Sequence, residues 1–274
     1  VGIFGLLQPV ADGFKLLFKE PLIPSRSNFF IFIFAPILVL FCSVSLWLVI
    51  PFSEVIYIFF FKYGMLFGFC FSSLVVYGLL LAGWFSGSRY AGLGAIRSIS
   101  QLVSYEICLG LSLFPIFFFV GSFDLFIVME RQWKLWFVSV LPVSFSVFFV
   151  ASLAELNRTP FDLPEAESEL VSGYNVEYGS AGFVLFYIAE YLNMILYSFF
   201  ITIFFFGGYF GFVNFGYCNF IWLVLKVLFW LFLFIVLRAC LPRFRYDQLM
   251  FLCWQVLFPI AFGNVFFFCL CLVL

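Results

Sequence analysis

The 274-residue chain contains no histidine, and only 10% of its residues are charged. Without histidine, bis-histidine haem, the common non-haem iron and copper ligand sets and every histidine-dependent triad are excluded. The eight cysteines are scattered and form no C-x-x-C pair, so neither a zinc site nor an iron–sulfur site is indicated. A Gly-rich dinucleotide fingerprint is also missing. Any redox cofactor must therefore belong to a partner protein.

The scarcity of charged residues also indicates whether the protein is soluble or embedded in a membrane. Soluble domains are normally about a quarter charged, whereas this chain is 66% hydrophobic and includes 48 phenylalanines. It is therefore an integral membrane protein. The excess of phenylalanine is typical of a genome rich in A and T and hints at an organelle. With a net charge of -1, the chain has no excess of basic residues that would attract nucleic acid, so nucleic-acid binding is not indicated.

Long apolar runs predict an all-α bundle of about seven transmembrane helices, each close to the roughly 20 residues that a bilayer requires. We place them at 28–50, 63–85, 99–121, 133–154, 182–206, 219–240 and 249–272. No internal repeat or soluble domain is evident. Residues 1–274 therefore form a single membrane domain.

Residues 1–26 have a different pattern. Apolar residues recur at helical spacing on one side and polar residues occupy the other, which predicts an amphipathic helix in the membrane interface before the bundle of 27–274. The apolar side holds Leu6, Leu7, Val10, Phe14, Leu17 and Phe18, and the polar side Gln8, Asp12, Lys15 and Lys19. An initial valine without a basic region gives no sign of a secretory signal.

Basic residues predict the orientation. One side of the topology collects Lys15, Lys19, Arg26, Arg89, Arg97, Arg158, Arg238, Arg243 and Arg245, against Lys62, Arg131, Lys134 and Lys226 on the other. The first side should be the cytoplasmic or matrix side. The amino terminus and the loop 155–179 lie there too.

The loop 155–179, with sequence ELNRTPFDLPEAESELVSGYNVEYG, carries most of the acidic groups. It places Glu155, Asp162, Glu165, Glu167, Glu169 and Glu177 around Arg158. Such close carboxylates titrate as a coupled set, which suits a proton relay in a membrane protein. A solvated connecting loop is the alternative. The apolar residues that alternate with the acids favour a segment folded against the bundle, where it could line a cavity for an amphipathic ring.

Two further carboxylates, Glu106 and Glu190, fall near the middle of predicted spans. A charge there costs roughly 2.5 to 3.5 kcal/mol even on lenient scales, so such residues persist mainly beside water, partners or a pathway. Glu190, Asn193, Met194 and Tyr197 share one helix face at i, i+3, i+4 and i+7. The alternative is a protonated glutamate bonded between helices.

The segment Arg238–Leu249, RACLPRFRYDQL, contains three arginines between the last two spans. It serves either as a basic loop that fixes topology or as a set of guanidiniums that pair with the loop acids or polarise a quinone carbonyl. Both roles are compatible.

The loop 155–179 closely resembles the signature loop of one family of membrane proteins, which comprises subunit 1 of mitochondrial NADH:ubiquinone oxidoreductase and the H subunit of bacterial complex I. Other segments resemble that family's motifs in the family's order, and together they cover nearly the whole chain. They are GLLQPVADGFKLLFKEPLIP (Gly5–Pro24), SRYAGLGAIRSISQLVSYE (Ser88–Glu106), AEYLNMI (Ala189–Ile195) and LPRFRYDQLM (Leu241–Met250).

The resemblance implies a membrane protein that forms much of a ubiquinone tunnel and the start of an acidic chain toward proton-pumping subunits. The quinone-cavity positions would be Arg158, Phe161, Asp162 and Glu177, with Arg238 and Phe200 nearer the tunnel and Asp12 and Lys19 on the amphipathic helix. The acidic chain would be Glu106, Glu155, Glu165, Glu167, Glu169 and Glu190. Ubiquinone would be the substrate, the iron–sulfur clusters would lie on partner subunits, and the mitochondrial inner membrane would be the location.

The chain departs from the family in starting after its first transmembrane helix and a basic Arg-Lys-Gly-Pro stretch. We expect a separate polypeptide to supply that helix. Three alternatives to the respiratory subunit stay open: the membrane anchor of an energy-converting hydrogenase, a secondary ion transporter and a structural scaffold. The full acidic loop argues against the first, the absence of an inverted repeat against the second, and the cost of Glu106 and Glu190 against the third.

Overall fold

The computed structural model describes residues 2–52, 61–163, 173–211 and 219–273, and all regular elements within these ranges are helical. Six helical segments of the described chain are long and apolar enough to cross a membrane: Phe29–Val49, Gly64–Phe85, Arg89–Val120, Ser180–Phe205, Phe220–Cys240 and Tyr246–Cys271. These segments confirm the prediction of an all-α integral membrane protein.

Helix α1 (Gln8–Phe18) follows a short 3-10 turn and begins with a proline in its first turn, where the missing N–H costs nothing. None of its residues is buried, and the apolar side chains of Leu6, Val10 and Phe14 are exposed. Within the described part of the chain these apolar side chains stay exposed, and an amphipathic helix of this kind is suited to the surface of a lipid bilayer.

Helices α2 (Phe29–Leu46), α3 (Gly64–Phe85) and α4 (Arg89–Val120) pack in sequence. Helix α4 begins ten residues before the predicted span at 99–121. Its N-cap is Ser88, whose hydroxyl accepts a hydrogen bond from the Ala91 N–H, and hydropathy missed the first turns because they contain Arg89 and Arg97. The helix ends at Gly121, which has the positive φ of 74° that suits glycine.

The predicted span 133–154 is shorter in the structure. Two short helices, α5 (Leu125–Arg131) and α6 (Phe137–Val140), precede α7 (Pro142–Glu155). Since proline cannot donate to the preceding turn, Pro142 starts a new helix rather than extending α6. At 1.5 Å per residue, the 14 residues of α7 extend roughly 21 Å, which is less than the ~30 Å core of a bilayer.

Helix α8 (Ser180–Phe205) packs against α1, α2 and α9 (Asn219–Cys240). Lys226, which the sequence assigned to the far side of the membrane within the predicted span 219–240, lies inside α9. Its ammonium donates to the carbonyl oxygens of Phe206, Gly208 and Phe210 at 2.6, 3.0 and 2.6 Å. It therefore satisfies backbone groups at the carboxyl end of α8, as basic residues commonly do.

The last span is continuous from α10 (Tyr246–Phe251) through a π-helical stretch (Leu252–Leu257) to α11 (Phe258–Val273). It lies against α4 and α7, where the Asn264 side chain donates to the Ser144 hydroxyl at 2.7 Å.

The buried apolar residues form two clusters. The larger one surrounds Tyr105, Phe148 and Phe204, and the smaller one surrounds Phe32 and Phe186. Polar side chains collect where the two clusters meet, and that boundary holds the candidate site.

Candidate functional site

A cavity of about 40 Å³ lies between α2, α3, α4, the end of α7 and α8. We call it the acid cavity. Its polar lining consists of Ser72, Glu155, Asn157, Tyr174, Glu190, Asn193 and Tyr197, and its apolar lining comes from both buried clusters. A polar space of this size can hold a few water molecules. Buried carboxylates beside such a space can exchange protons with it.

Helix α8 supplies one wall of the acid cavity. Glu190, Asn193 and Tyr197 all line it, which confirms that they share the helix face predicted from their spacing. Met194, predicted on the same face, lines a different cavity. Asn193 Oδ1 is buried and has no hydrogen-bond partner within the described ranges, so an acceptor faces the cavity.

Tyr174 enters the acid cavity from the short 3-10 turn Gly173–Asn175, and its hydroxyl donates to Glu190 Oε1 at 2.9 Å. Its position depends on Gly94 of α4. A Cβ atom at Gly94 would lie 2.8 Å from Gly173 Cα, a distance that real side chains avoid. The absence of a side chain therefore lets the turn pack directly on α4.

Glu106 of α4 faces α3, where two consecutive serines bind its Oε1 atom. The Ser72 hydroxyl lies at 2.9 Å and the Ser73 hydroxyl at 2.6 Å. Glu155 at the end of α7 is close enough to Glu106 for electrostatic repulsion between the two carboxylates. Glu155 Oε2 is buried without a hydrogen-bond partner in the described part of the chain.

The segment after α7 is held against the bundle, as its apolar residues predicted. Buried Gln101 donates from Nε2 to the carbonyl oxygens of Ala154 and Phe161, at 2.7 and 2.8 Å. The Phe161 ring stacks on Phe244 with centroids 5.6 Å apart. These contacts fix residues 155–163 between α4 and the arginine-rich segment.

Asp162 is buried and pairs with Arg243, whose Nη2 lies 3.1 Å from Asp162 Oδ2. The guanidinium is partly exposed, with 44% of its side chain accessible. This contact confirms one predicted role of the arginine-rich segment, the pairing of its guanidiniums with the loop acids.

A second cavity, of about 260 Å³, lies between α7, α8 and α9. We call it the arginine cavity. Arg158 and Arg238 line it together with Leu153, Leu156, Tyr191, Met194, Phe234 and Ile235. The Arg158 guanidinium lies over the Tyr191 ring, 4.7 Å from its centroid, and Arg158 Nη2 is buried without a hydrogen-bond partner among the residues described. Two cationic donors thus face an otherwise apolar space.

The end of the acidic segment is anchored by Tyr178. Its ring stacks on Phe32 of α2 with centroids 4.1 Å apart, and its hydroxyl donates to the Phe32 carbonyl oxygen at 3.1 Å. Burial raises the pKa of Tyr178 above its ordinary value, so the hydroxyl stays protonated and remains a donor.

Several predicted site residues lie apart from the two cavities. Asp12 and Lys19 are exposed on α1 and just after it, and Glu177 is half-buried outside both linings. Phe200 is buried and lines a small cavity of about 20 Å³ with Ser72 and Tyr197, not the arginine cavity. Glu165, Glu167 and Glu169 lie outside the described residues.

Ser72, Ser73 and Gln101 were not identified from the sequence. Serines in an apolar helix commonly bond to their own backbone, so a Ser-Ser pair gives no signal unless its neighbouring helix is known. Gln101, an uncharged amide inside a predicted span, carried a weak signal. In the described ranges no group of three or more histidine, cysteine, aspartate or glutamate residues could hold a metal ion.

Comparison with known proteins places the whole chain in one family. The family model for NADH dehydrogenase matches residues 1–269. NADH-ubiquinone oxidoreductase chain 1 of Arabidopsis thaliana is 49% identical over 270 residues, which cover 97% of this chain and 83% of that protein. The NADH-quinone oxidoreductase H subunit of Rickettsia typhi is 50% identical over 272 residues, covering 97% and 80%. The corresponding protein of Rickettsia felis is 50% identical over 267 residues, covering 95% and 79%.

Proposed function

Because this chain belongs to the NADH dehydrogenase family, together with the chain 1 and H-subunit proteins, we propose that it couples quinone reduction to proton movement. It is a multi-pass membrane subunit of complex I, the NADH:quinone oxidoreductase. The other complex I subunits are its partners. Electrons arrive from iron–sulfur clusters on those subunits, and ubiquinone is the substrate. The mitochondrial inner membrane fits its relative in Arabidopsis, and the amino terminus and acidic segment face the matrix.

The arginine cavity supports the quinone-binding part of the proposal. A quinone ring is flat and apolar with two carbonyl oxygens, so it suits an apolar space with a small number of placed donors. Arg158 Nη2 is free of described partners, and stacking on Tyr191 holds the guanidinium in place. Arg238 supplies a second donor. Phe161 and Asp162 are not lining residues of this cavity, but their contacts with Phe244 and Arg243 fix the segment that carries Arg158.

One observation carries the coupling part of the proposal: Leu156 lines both cavities. The space with two guanidiniums and the space with Glu155 and Glu190 therefore adjoin at this residue. Reduction of a quinone consumes two electrons and two protons, so negative charge develops beside Arg158 until the protons are taken up. Charges interact more strongly in a low-dielectric interior than in water. A change at the quinone would alter the ionisation of the carboxylates in the acid cavity. Ser72, which lines this cavity, connects it to Glu106 through a hydrogen bond.

Substitutions that replace a carboxylate by the amide of the same shape test the coupling role. We expect Glu190→Gln and Asp162→Asn to lower inhibitor-sensitive NADH:quinone activity about tenfold, since a hydrogen bond to a charged group contributes about 1.5 kcal/mol or more. Assembly, followed on native gels, should change little because both substitutions preserve shape. Glu130→Gln, at an exposed position at the end of α5, is the matched control.

Full inhibitor-sensitive activity in both variants would show that these acids are only structural. Purification separates the remaining alternatives. Isolation together with NADH dehydrogenase activity supports the respiratory subunit, whereas ion transport by the isolated chain in liposomes would indicate a secondary transporter.

The quinone site is tested separately with Arg158→Lys. Lysine keeps the positive charge but loses the planar donor group and its stacking on Tyr191. We expect a higher KM for a short-chain quinone, by about tenfold if one charge-assisted hydrogen bond is lost, with an unchanged rate of NADH oxidation by an artificial acceptor. An unchanged KM would exclude the arginine cavity as the quinone site.

A further inference from the structure

Two consecutive hydroxyls on α3 face the same pair of acceptors. Ser72 Oγ lies 2.9 Å from Glu106 Oε1 and 2.9 Å from the carbonyl oxygen of Phe69. Ser73 Oγ lies 2.6 Å from Glu106 Oε1 and 2.9 Å from the same carbonyl oxygen. A hydroxyl has one hydrogen, so each serine can donate to only one of these acceptors at a time.

The hydroxyl hydrogens of this cluster can form two alternative hydrogen-bonding patterns, one for each protonation state of Glu106. When Glu106 is ionised its carboxylate only accepts, and both serines donate to it. When Glu106 is protonated, its own O–H donates to one serine oxygen, and that serine turns its hydrogen toward the Phe69 carbonyl oxygen. The two arrangements differ by the rotation of a hydroxyl, and no heavy atom has to move. Protonation and deprotonation of Glu106 therefore cost no hydrogen bond.

Ser72 differs from Ser73 in its surroundings. Ser72 lines the acid cavity with Glu155 and Glu190, and it also lines the small cavity of about 20 Å³ beside Phe200. Neither Ser73 nor Glu106 is among the lining residues of either cavity. Ser72 is thus the contact between the Glu106 carboxyl and the space that holds the other acids.

We propose that Ser72 is a proton-relay residue between Glu106 and the acid cavity, and that Ser73 is a positioning residue for the Glu106 carboxyl. The inference rests on the proposed coupling function of the acids. In the forward step the Ser72 hydrogen first turns from the Phe69 carbonyl oxygen toward the acid cavity. The Glu106 O–H bond then breaks and its proton bonds to Ser72 Oγ, while the original Ser72 proton leaves for a water molecule or carboxylate in the cavity. Glu106 becomes ionised, the acceptor gains one proton and Ser72 stays neutral. The reverse step reloads Glu106.

The titratable groups around this relay come from several helices. Glu155 of α7 and Tyr197 of α8 interact electrostatically with Glu106, and Glu190 of α8 lines the same cavity as Ser72. Negative charge on any of these groups repels negative charge on Glu106. Loss of a proton from Glu106 is thereby linked to the charge of its neighbours, which is the property that a relay in a coupling pathway requires.

The test uses the assembled enzyme in sealed membrane vesicles, with Ser72→Ala, Ser72→Thr and Ser73→Ala. Three quantities are measured: the quinone reductase rate, the protons moved per NADH, and the infrared carboxyl band assigned by its loss in Glu106→Gln. Ser146→Ala is the matched control, because Ser146 also bonds to the carbonyl oxygen three residues earlier but is exposed. Native gels measure assembly of every variant.

We expect Ser72→Ala to lower the coupled rate about tenfold and Ser72→Thr, which retains the hydroxyl, to restore most of it. Ser73→Ala should shift the infrared band, because the carboxyl loses a donor, with a smaller loss of rate. A normal rate and proton yield in Ser72→Ala would overturn the relay, as would equal losses in Ser72→Ala and Ser73→Ala. If Glu106→Gln itself is fully active, the proposed coupling function fails; if only Ser72→Ala is fully active, the relay alone fails.

Discussion

The Tyr174 hydroxyl lies 2.9 Å from Glu190 Oε1 and joins the turn Gly173–Asn175 to the middle of α8. Tyr174 is almost completely buried, so its hydroxyl has little access to solvent. The contact places a loop residue and a membrane carboxylate on the wall of one cavity. The acid cavity is therefore formed jointly by a transmembrane helix and by the loop 155–179, to which Tyr174 belongs.

This contact predicts the effect of Tyr174→Phe. The variant removes only the oxygen, leaves the ring in contact with Phe186 of α8, and takes one donor from Glu190. We expect coupled quinone reduction to fall about fivefold to tenfold, the equivalent of one hydrogen bond of about 1 to 1.5 kcal/mol. Tyr77→Phe, at a position that is 61% exposed on α3, serves as the control. Equal activity of the two variants would show that the Tyr174 hydroxyl is not needed.

A second prediction concerns Gly94. Its hypothetical Cβ lies 2.8 Å from Gly173 Cα and 2.9 Å from Tyr174 N, so Gly94→Ala must push the turn away from α4. Overpacking of this kind costs typically about 1 to 3 kcal/mol. We expect less assembled enzyme and a loss of activity at least as large as in Tyr174→Phe. Gly92→Ala meets nothing within 4 Å and is the control. Normal assembly and activity of Gly94→Ala would contradict this packing.

The Asp162–Arg243 pair predicts that substitution of the arginine impairs assembly more than substitution of the aspartate. Arg243→Gln removes a cationic partner from a carboxylate at a site only 8% exposed, whereas Asp162→Asn leaves a guanidinium that solvent can reach. The amount of assembled enzyme should therefore fall more in Arg243→Gln than in Asp162→Asn. The double variant should be less impaired than Arg243→Gln alone. Native gels measure this, and a double variant whose loss equals the sum of both single losses would show that the pair is not coupled.

The contacts of the Lys226 ammonium predict that its removal lowers the thermal stability of the enzyme and leaves its proton yield unchanged. Lys226→Met keeps the length of the side chain but removes the donor from three carbonyl oxygens near the end of α8. Losing partners for buried groups costs about 1 to 3 kcal/mol each, partly recovered by relaxation. We expect a lower temperature of half-inactivation with an unchanged number of protons per NADH.

The control for this variant is Lys62→Met, since Lys62 is exposed before α3. Equal inactivation temperatures for the two variants would show that the carbonyl contacts of Lys226 contribute nothing to stability.

Some of the site follows from sequence patterns. The spacing of Glu190, Asn193 and Tyr197 correctly placed them on one face of a helix, because 3.6 residues per turn is a local property. Helix boundaries were less accurate. The arginines of α4 hid its first turns, and Pro142 divided the span predicted at 133–154, since hydropathy averages over residues and does not register a missing N–H.

The sequence by itself determined the solvent, the helical class, the family and the identity of the acids, because these depend on composition, period and motif. Only the tertiary structure decided that Ser72 and Ser73 bind Glu106, that Tyr174 reaches Glu190, and that Leu156 lines both the acid cavity and the arginine cavity. The first two are contacts between residues on different elements of the fold. The third concerns two cavities that are each lined by several helices. They depend on how the helices pack, which the local pattern of any one helix does not specify.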